Sequence, residues 1–168
     1  MKEFYFAGGC FWGTEHFLKQ IQGVESTEVG YANGNVANPT YKLVCTGSTG
    51  FAETVKAVYD ESLVDLPFLI ELYFQMIDPT SLNRQGGDIG TQYRTGIYYV
   101  DEQDAAVIRD TVSRLAGGYD EPVVVEIERL QNFYAAEDYH QDYLDKNSQG
   151  YCHVSPTLFA LARQACKK

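Results

Sequence analysis

The sequence has no long apolar run, no C-x-x-C pair, no internal repeat and no low-complexity linker. The first absence excludes a transmembrane helix, which needs about 20 consecutive apolar residues. The second removes the signatures of a zinc ribbon and of a thioredoxin-type dithiol. Basic residues are scarce: 13 Lys and Arg stand against 23 Asp and Glu, a formal net charge of −10. So acidic a surface repels phosphate backbones and anionic lipid, and neither nucleic acid nor a membrane is expected as a partner. Three histidines and four cysteines (Cys10, Cys45, Cys152 and Cys166) offer little to a metal, and their spacings fit no standard zinc pattern. The stretch from Met1 to Cys10 lacks the apolar core of a signal peptide. The expected setting is therefore a reducing cytoplasm, where four cysteines do not form a structural disulfide framework.

What is present describes an ordinary globular protein. A chain of 168 residues suits one domain, and at that length roughly 70% of the unfolded surface can be buried without disulfides or metal. Hydrophobic residues at 45% and charged residues at 21% exclude disorder as the main state. Aromatics are plentiful, with 13 Tyr, nine Phe and one Trp. Most such rings build the core; they point to function only where they cluster beside reactive chemistry.

Periodicity and punctuation outline the elements. Lys2 to Ala7 reads as a buried strand ending at Gly8-Gly9. Phe11, Thr14, Leu18 and Ile21 recur at helical spacing until Gly23. Val24 to Tyr31 reads as a strand closed by Asn33-Gly34, and a long irregular stretch to Gly50 holds a short helix with Asn38 as cap and Pro39 in its first turn. Phe51 to Asp60 is a strand whose Glu53, Val55, Ala57 and Tyr59 share one face. A helix from Pro67 to Met76 is capped by Asp65, and Asp78 to Tyr93 forms a second irregular stretch. Then come a strand at Arg94 to Val100, a helix from its Asp101 cap to Leu115, and a strand at Glu121 to Leu130. The expected fold is α+β: a ferredoxin-like βαββαβ core extended by a further αβ unit, a two-layer sandwich with long active-site loops. A single domain over 1–168 is expected, with 147–168 an irregular C-terminal tail whose segment from Pro156 to Ala165 is apolar and helix-like.

Cys10 follows a strand and two glycines and precedes a helix. Amides at a helix start stabilise an anion, so its thiol is expected to ionise below the ordinary value of about 8.5. Phe11 and Trp12 follow directly and can wall an apolar slot beside it. Glu53 shares its strand face with apolar residues; burial without a cation keeps a carboxyl protonated near neutral pH, ready to donate to a developing oxyanion. The residues alone leave two other readings open. One is a Cys–His hydrolase with Cys10 as nucleophile and His140 or His16 as base. The other is a redox-sensing or sulfoxide-binding module in which Cys10 oxidises without releasing a product.

A longer set of motifs is distinctive. Gly8-Gly9-Cys10-Phe11-Trp12-Gly13-Thr14-Glu15, Asn38-Pro39-Thr40-Tyr41, Gly50-Phe51-Ala52-Glu53, the run from Asn83 through Asp88 to Tyr93-Arg94, and His140-Gln141 together closely resemble the A-type peptide methionine sulfoxide reductases. The matching segments span about residues 4 to 152, nearly the whole chain. The resemblance implies that the Cys10 thiolate attacks the sulfur of the S-epimer of methionine sulfoxide, free or in peptides and oxidised proteins. Glu53 and the hydroxyls of Tyr41 and Tyr93 would bind and protonate the sulfoxide oxygen. Phe11 and Trp12 would hold the methyl group, and Asp88 would help position substrate or water. Methionine leaves a Cys10 sulfenic acid, which a second thiol converts to a disulfide, a normal course for oxidised cysteine. The resemblance also implies thioredoxin, or another dithiol, as the external reductant, with no bound cofactor and no metal. Cys152, in a polar segment containing Gly150, resembles the resolving position. Cys166 follows an apolar run where many relatives have a Gly-rich tail, and reads as a secondary or incidental thiol. Cys45 reads as structural and His140 as a hydrogen-bonding scaffold residue. The protein is expected to act as a monomer in the cytoplasm.

Overall fold

A computed structural model describes residues 1–166; the last two residues of the expected 1–168 domain lie outside the described residues. The elements in chain order are β1 (Lys2–Gly8), α1 (Phe11–Lys19), β2 (Val24–Ala32), α2 (Tyr41–Val44), β3 (Ala52–Tyr59), α3 (Leu66–Met76), β4 (Arg84–Gln85), β5 (Asp88–Ile89), β6 (Thr95–Tyr99), α4 (Glu102–Ala116), β7 (Glu126–Arg129), β8 (Phe133–Ala135), α5 (Tyr143–Lys146) and α6 (Pro156–Gln164). Single 3-10 turns occupy Thr91–Tyr93 and Asp138–His140. The class is α+β, as expected.

Six strands form one sheet in the order β7-β6-β1-β3-β2-β8, and β4 pairs with β5 in a separate two-stranded ribbon. β1 lies between β3 and β6 and is antiparallel to both; β2 is antiparallel to β3 and β8; β7 alone is parallel to its neighbour, β6. Strand alternation divides the sheet's faces. Phe4, Phe6, Val29, Val55, Ala57 and Ile97 join the apolar residues of α1, α3 and α4 in one large core. The opposite face carries a smaller cluster of Tyr5, Ala7, Ala32, Ala52 and Tyr98. Tyr73 pins α3 to the sheet: its hydroxyl donates to Ala7 O and accepts the Gly96 amide at 3.1 Å. That position is fully buried, so these backbone groups have no water to fall back on.

Local chemistry sets the ends of the elements. Asp65 caps α3 by accepting the Phe68 amide at 3.0 Å, and Asp101 caps α4 through the Gln103 amide at 2.9 Å. The cap of α2 is Thr40 rather than Asn38: its hydroxyl accepts the Leu43 amide, while Asn38 turns the chain with φ of 50°. The strand expected over Glu121 to Leu130 shortens to β7. Pro122 has no amide to donate, and the Val124 amide donates to Pro79 O at 2.8 Å instead of joining a ladder. β8 was not expected. It fits against β2 because Gly30 leaves room, where a Cβ would come within 2.5 Å of the Phe133 ring and the Tyr134 carbonyl.

The tail is a correction to the irregular segment expected. Ser155 accepts the Thr157 amide, Pro156 opens the first turn, and α6 buries Phe159 and Ala162 in the main core. An apolar stripe that finds the core becomes a helix; among the described residues of the tail, 147–155 and 165–166 are irregular. Among the described residues no helix is long and apolar enough to cross a membrane.

Candidate active site

Cys10 stands at the junction of β1 and α1. Gly9, with φ of 83°, makes the turn that a side-chain-bearing residue would strain, and a Cβ there would also strike Gln85 at 2.7 Å. Cys10 is the N-cap of α1 and is 7% exposed. The nearby Trp12 amide lowers its pKa, yet the thiol sits well above its ordinary value. Burial is the main cause, followed by the negative field of Glu53 and smaller contributions from Asp88 and Cys152. This corrects the expectation of a readily ionised thiol. One helix-start amide does not offset desolvation among acidic neighbours, so the resting group is a thiol.

Glu53, on β3 directly across from Tyr31, is 1% exposed. Its Oε1 accepts the Phe11 amide at 3.1 Å, and its Oε2 is buried with no partner among the described residues. Burial raises its pKa to about 8, with the Phe11 amide opposing and Asp88 adding to the rise. At pH 7 the carboxyl therefore holds a proton. Because Oε1 is an acceptor, that proton belongs on Oε2, the free oxygen.

The two long loops bring the other predicted groups to the same place. Tyr41 opens α2; its ring lies 6.3 Å from Phe11 and nearly parallel to it, and its hydroxyl is near the Cys45 sulfur. Tyr93 ends the 3-10 turn before β6. Burial and the nearby Glu53 hold both phenols well above the ordinary value, so both are neutral donors. Tyr93 also feels Asp88, Cys45 and Cys10, so it stands among the groups of the site. Asp88, on β5, lies near Tyr151 and keeps Oδ2 buried without a partner among the described residues.

The two aromatics after Cys10 differ in situation. Phe11 is fully buried, packed by Tyr31, Tyr41 and His140, and so forms the floor of the site. Trp12 is partly buried and stacks on Tyr143 with centroids 3.8 Å apart and planes 9° apart. Its indole N–H donates to His140 Nδ1 at 2.9 Å. That bond fixes the tautomer with the proton on Nε2, and burial lowers the pKa of the ring. His140 thus has no basic lone pair left for Cys10. His16 packs edge-on against Phe159 beside Asp145, away from the site. Neither histidine is placed to serve a hydrolase.

The cysteines separate by position. All four are free thiols. Cys152 Sγ packs on Gly13, one helical turn after Cys10; a Cβ on Gly13 would meet it at 3.0 Å. The Cys152 sulfur accepts the Val154 amide at 3.3 Å, so the segment is docked rather than loose. Cys45 closes α2, and Cys166 is exposed beyond α6. Among the described residues no group of three His, Cys, Asp or Glu is arranged to share a metal ion.

The sequence alone does not single out three supporting residues. Glu137 accepts the Tyr31 hydroxyl at 2.8 Å and the Tyr41 amide at 3.0 Å, which ties β2 to the start of α2. Tyr143 backs Trp12, and Tyr151 lies beside Asp88.

Comparison with known proteins shows the family and the fold. A family model described as peptide methionine sulfoxide reductase matches residues 2–167. The chain is 54% identical over 164 residues to a peptide methionine sulfoxide reductase MsrA of Lachnoclostridium phytofermentans, covering 98% of this chain and 99% of the relative. The fold is similar to the crystal structure of reduced Mxr1 from Saccharomyces cerevisiae, with a TM-score of 0.87 and 39% identity over 93% of this chain and 90% of that one. It is also similar to methionine sulfoxide reductase A of Corynebacterium diphtheriae, with a TM-score of 0.86 and 39% identity over 90% of this chain and 77% of that one.

Proposed function

The chain belongs to the peptide methionine sulfoxide reductase family, and from that premise we propose how its own residues carry the reaction. The activity is that of an oxidoreductase, a peptide-methionine (S)-S-oxide reductase. The observation that carries the mechanism is the Glu53 carboxyl, anchored by one oxygen to the Phe11 amide and left with a protonated, unpartnered oxygen beside Cys10.

The substrate methyl group packs against Trp12 over the floor made by Phe11. The sulfoxide oxygen accepts from Glu53 Oε2–H and from the hydroxyls of Tyr41 and Tyr93, donors that count for more as charge grows on oxygen in a dry site. Transfer of the Glu53 proton to that oxygen leaves a carboxylate that accepts the Cys10 proton, so thiolate forms only once substrate is seated. The sulfur pair of Cys10 attacks, oxygen passes to Cys10, and methionine departs from a sulfenic acid. Asp88 orients substrate or water at the edge of the site. Cys152 then displaces the oxygen as water and forms a disulfide with Cys10. Thioredoxin or an equivalent dithiol restores the thiols, and Cys166 is a secondary thiol without a required part.

Several coarser readings go with this one. The four central strands, ordered β6-β1-β3-β2 with every neighbour antiparallel, support a ferredoxin-like core, extended at one edge by α4 and β7, with a helical layer on one face. We take 1–168 as one domain, a cytoplasmic monomer without bound cofactor or metal, with no nucleic acid or membrane partner. The test uses N-acetyl methionine sulfoxide and dithiothreitol. The protein should form the methionine derivative from the S-epimer, and Cys10→Ala should form none while keeping its far-UV circular dichroism. Turnover by the folded Cys10→Ala variant would refute the reading.

A further inference from the structure

His153 is a half-buried titratable side chain with no task in the steps above. We propose that His153 is the proton acceptor for Cys152 when the disulfide forms, an inference that rests on Cys152 being the resolving thiol.

The geometry supports this in three ways. His153 Nε2 lies 3.0 Å from Gly8 O. A carbonyl can only accept, so the ring proton sits on Nε2 and the lone pair on Nδ1. Nδ1 is buried and has no partner among the described residues. The ring is also next to the reacting sulfur in space. A point one bond from the Gly13 Cα lies 3.0 Å from Cys152 Sγ and 3.4 Å from His153 Cε1, the ring carbon that joins the two nitrogens. Finally, the ring presses on the turn that carries Cys10: a Cβ on Gly9 would stand 3.2 Å from His153 Nε2. The imidazole therefore spans the resolving cysteine and the backbone that presents the attacked one.

The need for a base is specific. Burial holds the Cys152 thiol above its ordinary pKa, so at neutral pH little thiolate is available to attack. Burial also keeps the His153 ring neutral and able to accept a proton, while Asp88 on β5 and the Gly8 carbonyl on β1 favour the imidazolium once formed. The other groups facing it are the uncharged Gln85 side chain and Cys152 itself. In the step, the Cys152 S–H proton passes to Nδ1 and the Cys152 sulfur pair forms the S–S bond as the Cys10 S–O bond breaks. Hydroxide leaves with the Glu53 proton as water. The Cys152 sulfur is oxidised and the Cys10 sulfur reduced, so no outside oxidant is required. The imidazolium then returns its proton to Glu53 through solvent.

The experiment is a single turnover of the reduced full chain with one equivalent of N-acetyl methionine sulfoxide and no reductant, from about pH 6 to 10. Methionine release is followed by chromatography, and the Cys10 sulfenic acid and the disulfide by trapping and mass mapping. His153→Gln keeps an N–H toward Gly8 O and removes the base. Methionine release should match the parent, while disulfide formation should slow by about 100-fold near neutral pH, the lower end of what general bases contribute. Its rate should then climb with pH into the thiol range. Added imidazole should accelerate disulfide formation in His153→Ala. A parent-like rate and pH profile in His153→Gln would overturn the proposal, and so would loss of methionine release, which would mean that the ring supports Cys10 instead. A parent disulfide that omits Cys152 would overturn the reading on which the proposal rests, a result distinct from both.

Discussion

Glu53 and Cys10 govern one another through burial. Above about pH 8 the Glu53 carboxyl ionises and the proton donor is lost, so kcat should fall along a single titration there, measured with the S-epimer at saturation. Glu53→Gln keeps the shape but has no proton to give, and kcat should drop by about 100-fold or more. Stability should move the other way. The carboxyl's folded pKa is raised, so its neutral form binds a proton that the unfolded chain releases sooner. The associated stability is complete below the ordinary carboxyl pKa and declines as pH climbs toward about 8. Glu53→Gln should thus resist urea better than the parent at pH 8, with the gap closing toward pH 4. The position of Glu53 among Val55, Ala57 and Tyr59 made its burial legible from strand alternation. The state of Cys10 was not legible, because a sequence shows the helix start but not how many carboxylates fold in around it. The task of His153 was not legible for the same reason: its partner is a carbonyl 145 positions away in the chain.

The elements that present the site are held by few contacts. Tyr73→Phe removes the donor to Ala7 O and the acceptor for the Gly96 amide, two buried backbone groups on adjacent strands. The cost should be about 1–3 kcal/mol in urea unfolding. On α1, Gly13→Ala adds a methyl that must displace Cys152 Sγ and Val154. Single-turnover methionine release should stay near the parent rate, and disulfide formation should fall by up to roughly tenfold by mass mapping, since the thiol must move by a few tenths of an ångström and about 1 Å can cost 10²-fold. The long elements were legible because each carries its own period and cap, as Asp65 and Asp101 illustrate. β8 and the β4–β5 ribbon were not. Three- and two-residue strands have no period to read, and they exist only because β2 offers an open edge and the loop folds back on itself.

Across the molecule, the tail belongs to the core. Val154, Phe159 and Ala162 are buried with the residues of α1 and α3, so the segment that brings Cys152 to the site also completes the apolar interior. Removing 147–168 should therefore lower the thermal midpoint markedly, whereas Cys152→Ser should unfold near the parent temperature while releasing one methionine and then stalling. A differential scan of the two variants separates these outcomes. The docking of residues 151–153 has a second consequence. Tyr151 lies beside Asp88, the Cys152 sulfur accepts the Val154 amide, and His153 Nε2 donates to Gly8 O. Drawing the sulfur of Cys152 onto Cys10 must release the second of these ties and strain the others. The oxidised protein should then be nicked by trypsin after Lys146 faster than the reduced one, and a protease would read out, from the outside, whether the last catalytic cycle had been reset.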